Sequence, residues 1–172
     1  MTLREYTFPP QTTITFLVSR NEYRKGALKS ALEFWLTFNS GAERLRLPVN
    51  PPSFRILTEH GYNDIETAQL GEITVIGTPR LRGFSFTSFF PRDYNPSYCE
   101  YEDIPDPQTA VDTLERWQRS RRPMRLIVAG SRDLNVPVTL RRFEQDERGG
   151  EPGDIYYEIE LREYRFVRFE RL

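Results

Sequence analysis

IYYEIELREYRFVRF, residues Ile155 to Phe169, alternates apolar and polar side chains with a period of two. Ile155, Tyr157, Ile159 and Leu161 fall on one face, opposite Tyr156, Glu158, Glu160 and Arg162. After Glu163 the apolar phase moves to Tyr164 and Phe166, then reverts to Val167 and Phe169. One strand with such a slip predicts a β-bulge, or two halves that bury opposite faces. A sheet of a two-layer sandwich needs only one buried face. The second apolar face therefore predicts cover from a neighbouring subunit, because an open aromatic β surface invites aggregation.

Upstream, similar short runs are separated by Gly, Pro and Asn. They predict strands at Leu32 to Phe38, Arg44 to Val49, Phe54 to Thr58, Glu72 to Ile76, Gly83 to Phe90, Met124 to Ala129 and Val136 to Phe143. One segment has helical spacing, Pro107 to Arg121, with Ala110, Val111, Leu114 and Trp117 on one face. Asp106 can cap it, Pro107 suits its first turn and Pro123 stops it. The expectation is a mainly β domain, a sandwich or barrel with one flanking α-helix.

The chain has 172 residues, which fits one domain. Its 24 basic and 25 acidic residues leave a net charge of −1, which argues against broad attraction to nucleic acid or anionic lipid. No window approaches the apolar length of a membrane span, and mean hydropathy is −0.61, so a soluble globular chain is expected. The two lysines, Lys25 and Lys29, both lie in residues 1–30, whereas 19 of the 22 arginines follow residue 30. Residues 1–30 thus stand apart in composition; with a strand-like run from Thr12 to Ser19, they read as an arm, an added edge strand or a mis-called start. Residues 31–172 form the expected β domain. The single Cys99 excludes an intrachain disulfide, and the apolar run Ile14 to Val18 is too short for an export signal, so synthesis in the cytoplasm is expected.

Catalytic groups are scarce. One Cys and one His give zinc no ligand set and leave no metal or other cofactor expected. His60, beside Gly61 and Asn63, reads as a turn histidine, and Cys99 sits in PSYCEYED without a nucleophile signature. Glu100, Glu102, Asp103 and Asp106 form an acidic cluster that could supply paired carboxylates for glycoside hydrolysis; solvent exposure and compensation of the helix dipole explain them more cheaply. Gly149, Gly150 and Gly153 lie between strand-like runs and read as a hairpin turn, not a phosphate loop. Arg116, Arg119, Arg121, Arg122 and Arg125 read as a solvated helix end or an intersubunit salt-bridge surface before they read as phosphate ligands. In FSFTSFFPRDYNPSYCEY, Phe84 to Tyr101, the residues Phe84, Phe86 and Phe89 are expected to face one way as core. Phe90, Tyr94, Tyr98 and Tyr101 are expected in a loop suited to a protein interface. With Tyr164 and Phe166 they are the candidate subunit-interface residues; no catalytic residue is expected.

The succession LRLPVNPPSF (45–54), AQLGEITVIG (68–77), FSFTSFFPRDYNPSYCEYEDIPDP (84–107) and DIYYEIELREYRF (154–166), around a helix bearing Trp117, resembles the N-terminal region of XkdP-like proteins. These are tail and baseplate proteins of contractile-tail phages and of defective prophages of the PBSX kind. The resemblance runs from about Ala31 to the C-terminus. It implies a phage tail-tube fold, a place in the virion tail or baseplate, and a structural role as a tube initiator or adaptor joining the tail tube to the baseplate hub. The implied partners are copies of the chain in a ring, a homo-hexamer in the assembled particle, together with tube and hub proteins, with no membrane and no sequence-specific nucleic acid. Longer relatives carry a LysM domain after this region; the sequence stops at Leu172, so no peptidoglycan binding through LysM is expected. The alternative is a cell-wall hydrolase or carbohydrate-binding accessory of the same apparatus using Glu100, Glu102 or Asp103. A third reading is a nucleic-acid adaptor using the arginines from Arg116 to Arg125.

Overall fold

The structure is a computed structural model and describes residues 32–130 and 133–167. The expected arm and Thr12–Ser19 strand, as well as Phe169, lie outside the described residues. The described elements are strands β1 (Leu32–Phe38), β2 (Glu43–Arg46), β3 (Phe54–Leu57), β4 (His60–Thr67), β5 (Gly71–Pro79) and β6 (Gly83–Phe90), helix α1 (Pro107–Arg119), and strands β7 (Met124–Gly130), β8 (Leu134–Glu147) and β9 (Ile155–Glu163). Seven strands form one antiparallel sheet in the order β2-β1-β7-β8-β9-β6-β3, and β4 and β5 pair only with each other in a separate two-stranded ribbon. The protein is mainly β with one helix, as expected.

Alternation places the apolar side chains of the large sheet on one face. Phe84 and Phe86 of β6, Leu126 and Val128 of β7, Val138 of β8, and Ile159 and Leu161 of β9 are all buried. The sheet curls into an incomplete barrel, because Phe34 near one edge packs edge-on against Phe54 on the opposite edge strand at 5.4 Å and against Phe86 at 5.9 Å. The segment after β2 helps close the gap: Leu47 N–H donates to Phe34 O at 3.0 Å, and the Ser88 hydroxyl donates to Val49 O at 2.8 Å. Helix α1 adds Ala110, Val111, Leu114 and Trp117 to the same core. Trp117 stacks on Phe38 at 5.5 Å, and its indole N–H donates to Glu43 Oε2 at 2.9 Å. Asp106 caps the helix as expected, its carboxylate accepting from Thr109 N–H at 3.0 Å.

Five sequence expectations are corrected. The final strand ends at Glu163, not Phe169, since β6 begins at Gly83 opposite Arg162 and β9 has no neighbour on that side beyond it. The irregularity lies in β8, between Leu140 and Arg142, within the ladder that β8 forms with β9. The apolar face of β9 is covered by its own chain, and Tyr164, Phe166 and Val167 leave the sheet exposed instead of forming a second strand face. His60 opens β4 instead of occupying a turn, because pairing with β5 overrides the turn preference of Gly61 and Asn63. Within β6, Phe90 joins Phe84 and Phe86 inside, stacked on Tyr157 at 4.5 Å, and Phe89 faces the other way onto Tyr156 at 5.0 Å.

Phe34 joins both sides of the curl, so Phe34→Ala should lower the unfolding free energy by about 3–5 kcal/mol, whereas Asp106→Ala should cost about 1 kcal/mol. Denaturant titration of the two variants checks the ranking; equal losses would mean that the barrel seam is not a principal packing site.

Candidate functional site

The six interface candidates divide by position. Phe90 is fully buried and presents no surface, which removes it from the set. Tyr101 is a strut within the chain: its hydroxyl donates to Arg46 O at 2.9 Å and its ring lies 4.8 Å under the Arg46 guanidinium, itself paired with Glu33 at 3.0 Å. Burial pushes the Tyr101 phenol up to about 12. Tyr94 and Tyr98 are exposed beyond the C-terminal end of β6, where Tyr98 packs on Phe89 at 5.3 Å. Tyr164 and Phe166 form an exposed edge-to-face pair, centroids 5.0 Å apart, beyond the end of β9. Because Phe89 pairs with Tyr156 and Gly83 with Arg162, the two aromatic patches sit at opposite ends of the β6–β9 ladder, about 20 Å apart at 3.3 Å per residue.

The candidate catalytic groups do not converge. Cys99 is buried, bridges to Val49 and receives Asn95 N–H on its sulfur at 3.4 Å; burial pushes its thiol up, away from the thiolate a nucleophile needs. His60 lies in a shallow depression with Thr58, Glu59, Tyr62 and Arg80, apart from Cys99. Glu100 accepts from the Asn50 side chain at 3.0 Å, and Asp106 is occupied by the helix N-terminus. Glu102 and Asp103 are exposed. Gly149, Gly150 and Gly153 lie in the turn joining β8 to β9, as expected. Arg116 pairs with Glu43 at 2.5 Å, which holds the Glu43 carboxyl below the usual carboxylate range, and Arg119 pairs with Glu115 one turn back.

Among the described residues, half of the exposed large apolar side chains lie in the β4–β5 ribbon, of which the sequence predicts only the second strand. Tyr62, Ile65, Leu70, Ile73, Val75 and Ile76 of the β4–β5 hairpin are all exposed, Leu70 at 77% and Ile76 at 71%. Tyr62 pairs with Ile76 across the ladder, and Ile65 with Ile73. At its root Gly77 approaches Gly61 so closely that a Cβ would come within 2.9 Å of the Gly61 carbonyl oxygen; the absence of side chains lets the strands meet at the bulge. The sequence signal was the turn: Gly71, at φ +74°, follows Leu70 and pairs across the turn with Thr67, whose hydroxyl both donates to Gly71 O and accepts from Leu70 N–H.

The hairpin returns to the barrel through a clamp. Arg82 Nε and Nη2 donate to the two Glu163 carboxylate oxygens at 2.9 and 3.3 Å, Arg82 N–H adds a bond at 3.2 Å, and Glu163 N–H donates to Arg82 O at 2.8 Å. The Arg82 hydrogen bonds hold the Glu163 carboxyl below the usual carboxylate range. Nearby, Leu81, Trp117, Met124, Leu140 and four arginines enclose a cavity of about 500 Å³.

No family model matches the chain. A curated Bacillus subtilis (strain 168) protein, described as the uncharacterized protein YqbP, is 35% identical over 137 residues, which cover 80% of this chain. The chain spans 61% of that relative's length. Among solved structures, the tail of an empty GTA particle with C6 symmetry aligns over 85% of this chain and 100% of its own, at 11% identity and a TM-score of 0.47. A chain of the six-fold symmetrised baseplate of the anti-feeding prophage aligns over 83% of this chain and 94% of its own, at 10% identity and TM-score 0.44. A chain from the PVC sheath/tube terminator of an extracellular contractile injection system aligns over 84% of this chain and 97% of its own, at 12% identity and TM-score 0.42. Likeness at that level fixes neither topology nor role.

The clamp has a pH signature. A carboxyl whose folded pKa is lowered stabilises the fold fully above its unfolded pKa, and that contribution is lost as pH falls through the folded value. Wild type should therefore be more stable than Glu163→Gln at pH 7, and the gap should close as pH falls below about 4. Denaturant midpoints of both proteins from pH 7 to 3 check this; a constant gap would mean that the carboxylate charge is not what the clamp uses.

Proposed function

We propose that this chain is a structural component of a contractile phage tail or phage-derived particle, joining the tail tube to the baseplate hub as a ring of copies. The observation that carries the reading is the β4–β5 hairpin, a projecting ribbon with six exposed large apolar side chains. A two-stranded ribbon is marginal alone in water, and an exposed apolar patch of this kind marks an interaction surface. The XkdP-like succession of sequence segments supplies the particular apparatus, and the hexamer and the tube-initiating position follow from that resemblance. The aromatic patches at opposite ends of the β6–β9 ladder, Tyr94 with Tyr98 and Tyr164 with Phe166, suit a head-to-tail contact, in which each copy offers a different surface to the next and the ring closes by rotation. The hydrolase alternative, which draws on Glu100, Glu102 or Asp103, loses Glu100 to the Asn50 side chain, and no observation favours it.

A strain lacking the protein should accumulate baseplate parts without extended tubes; normal tubes in that strain would reject the role. In a complemented strain, Leu70→Asp with Ile76→Asp should leave the barrel folded while reducing tube-bearing particles by about tenfold or more, the effect of removing roughly 1.4 kcal/mol of contact. Particle counts by electron microscopy, alongside the Tm of the purified variant, separate an assembly defect from a folding defect.

A further inference from the structure

We propose that the arginine-lined cavity at the C-terminal end of α1 receives the acidic β4–β5 hairpin of a second copy of this chain. The inference rests on the ring assembly proposed above and names the contact that builds it.

The cavity has buried Trp117 and Met124 at its base, Leu81 and Tyr164 in its wall, and Arg121, Arg122, Arg141 and Arg165 around its mouth. None of these four arginines forms an ion pair among the described residues. The carboxylate in the wall, Glu163, is held by Arg82 and also attracts Arg165, one charge against the four arginines. Four like charges around one concavity repel each other, and a low-dielectric base strengthens that repulsion, so the site favours an anionic occupant. Arg121 adds a separate observation. It occupies the position after the Ser120 helix cap with φ at +58°, a left-handed conformation that glycine adopts without cost. An arginine there costs stability, and such outliers concentrate at functional sites.

The hairpin carries the complementary pattern. Asp64 and the cross-strand pair Glu66 and Glu72 lie on one face towards the tip, while Ile65, Ile73 and Val75 lie on the other. Like charges directly opposite one another destabilise a ladder, and neither Glu66 nor Glu72 forms an ion pair among the described residues. A cationic partner outside the chain relieves both problems. The hairpin also brings exposed aliphatic side chains to the apolar wall. The other acidic projection, the β8–β9 turn with Asp146, Glu147 and Glu151, exposes no large apolar side chain. The segment 168–172 that follows the cavity wall adds Arg168 and Arg171 against a single side-chain carboxylate, Glu170, and so suits an arginine-lined site less well.

The test uses the full chain. Arg121→Glu with Arg141→Glu should weaken self-association by about tenfold or more, as should Glu66→Arg with Glu72→Arg. Mixing the two reversed proteins is the decisive arm. The intact hairpin of one meets the intact cavity of the other, and the reversed surfaces pair glutamates with arginines, so the mixture should recover the self-association of wild type, seen by sedimentation velocity, while neither alone associates. Arg121→Gly should raise Tm yet weaken pairing, which a purely structural arginine would not do. Reversals that leave self-association unchanged, or a mixture that fails to pair, overturn the docking proposal while leaving the assembly role standing. A wild-type chain that neither self-associates nor enters particles overturns both. Pairing that appears only after residues 168–172 are deleted would assign the cavity to the chain's own C-terminal segment. Binding of inorganic phosphate, with pairing insensitive to the reversals, would make it a simple anion pocket; either result overturns the proposal.

Discussion

The closure of the curled sheet on Phe34 governs the rest of the molecule. Once β1 reaches across to β3 through Phe34, Phe54 and Phe86, the inward positions of all seven strands share one core, and α1 fills the space that the incomplete barrel leaves. That arrangement consumes the covering capacity of the described residues. A single helix can shield one face, and it is already committed through Trp117, Phe38 and Leu114. The β4–β5 ribbon is inserted between β3 and β6, neighbours in the sheet, and so is extruded from the barrel with its apolar side chains in water. The exposed surface is a consequence of the closed core and not a defect in it.

Electrostatics then distribute the outside of the barrel unevenly. Arginines near the helix terminus that have carboxylate partners, Arg116 with Glu43 and Arg119 with Glu115, secure α1 to β2 and to itself. Those just beyond it have none among the described residues and surround a cavity. Glu66 and Glu72, which form no ion pair among the described residues, lie opposite one another on the projecting hairpin. A chain with a net charge of −1 thereby carries local charge of both signs at separate places, the arrangement that the proposed docking between copies would use.

The sequence was most legible where one face is buried and least legible where none is. Period-two alternation located β1 and β6 to the residue and found the inward set of β9, since each such strand writes its burial into the spacing of its apolar residues. The capped, amphipathic α1 was equally clear, from Asp106 and Pro107 through Trp117. β4 was lost because a ribbon exposed on both faces has no reason to alternate, and its Gly61, Asn63 and Asp64 carry turn propensities that ladder pairing overrides. The phase slip after Glu163 was a real signal with a different cause: it marks the point where β9 runs past its β6 neighbour, while Tyr164 N–H still bonds Pro137 O of β8. Of the interface candidates, Tyr94, Tyr98, Tyr164 and Phe166 are exposed, while Phe90 and Tyr101 show that aromatic density cannot by itself separate a core or a strut from a surface. The arginine cavity was invisible for another reason. It assembles residues from α1, β8 and the segment after β9, whose proximity is a property of the fold and not of any local spacing.

The central claim is that the β4–β5 hairpin completes its burial in an assembly. Hydrogen–deuterium exchange of residues 60–79, compared between the isolated chain and intact particles, tests this most directly. The account expects amides of β4 and β5 to exchange rapidly in the free protein and to slow by about two orders of magnitude or more in the particle, while those of β1, β6 and β9 stay slow in both. Equal exchange of the hairpin in the two states would contradict it.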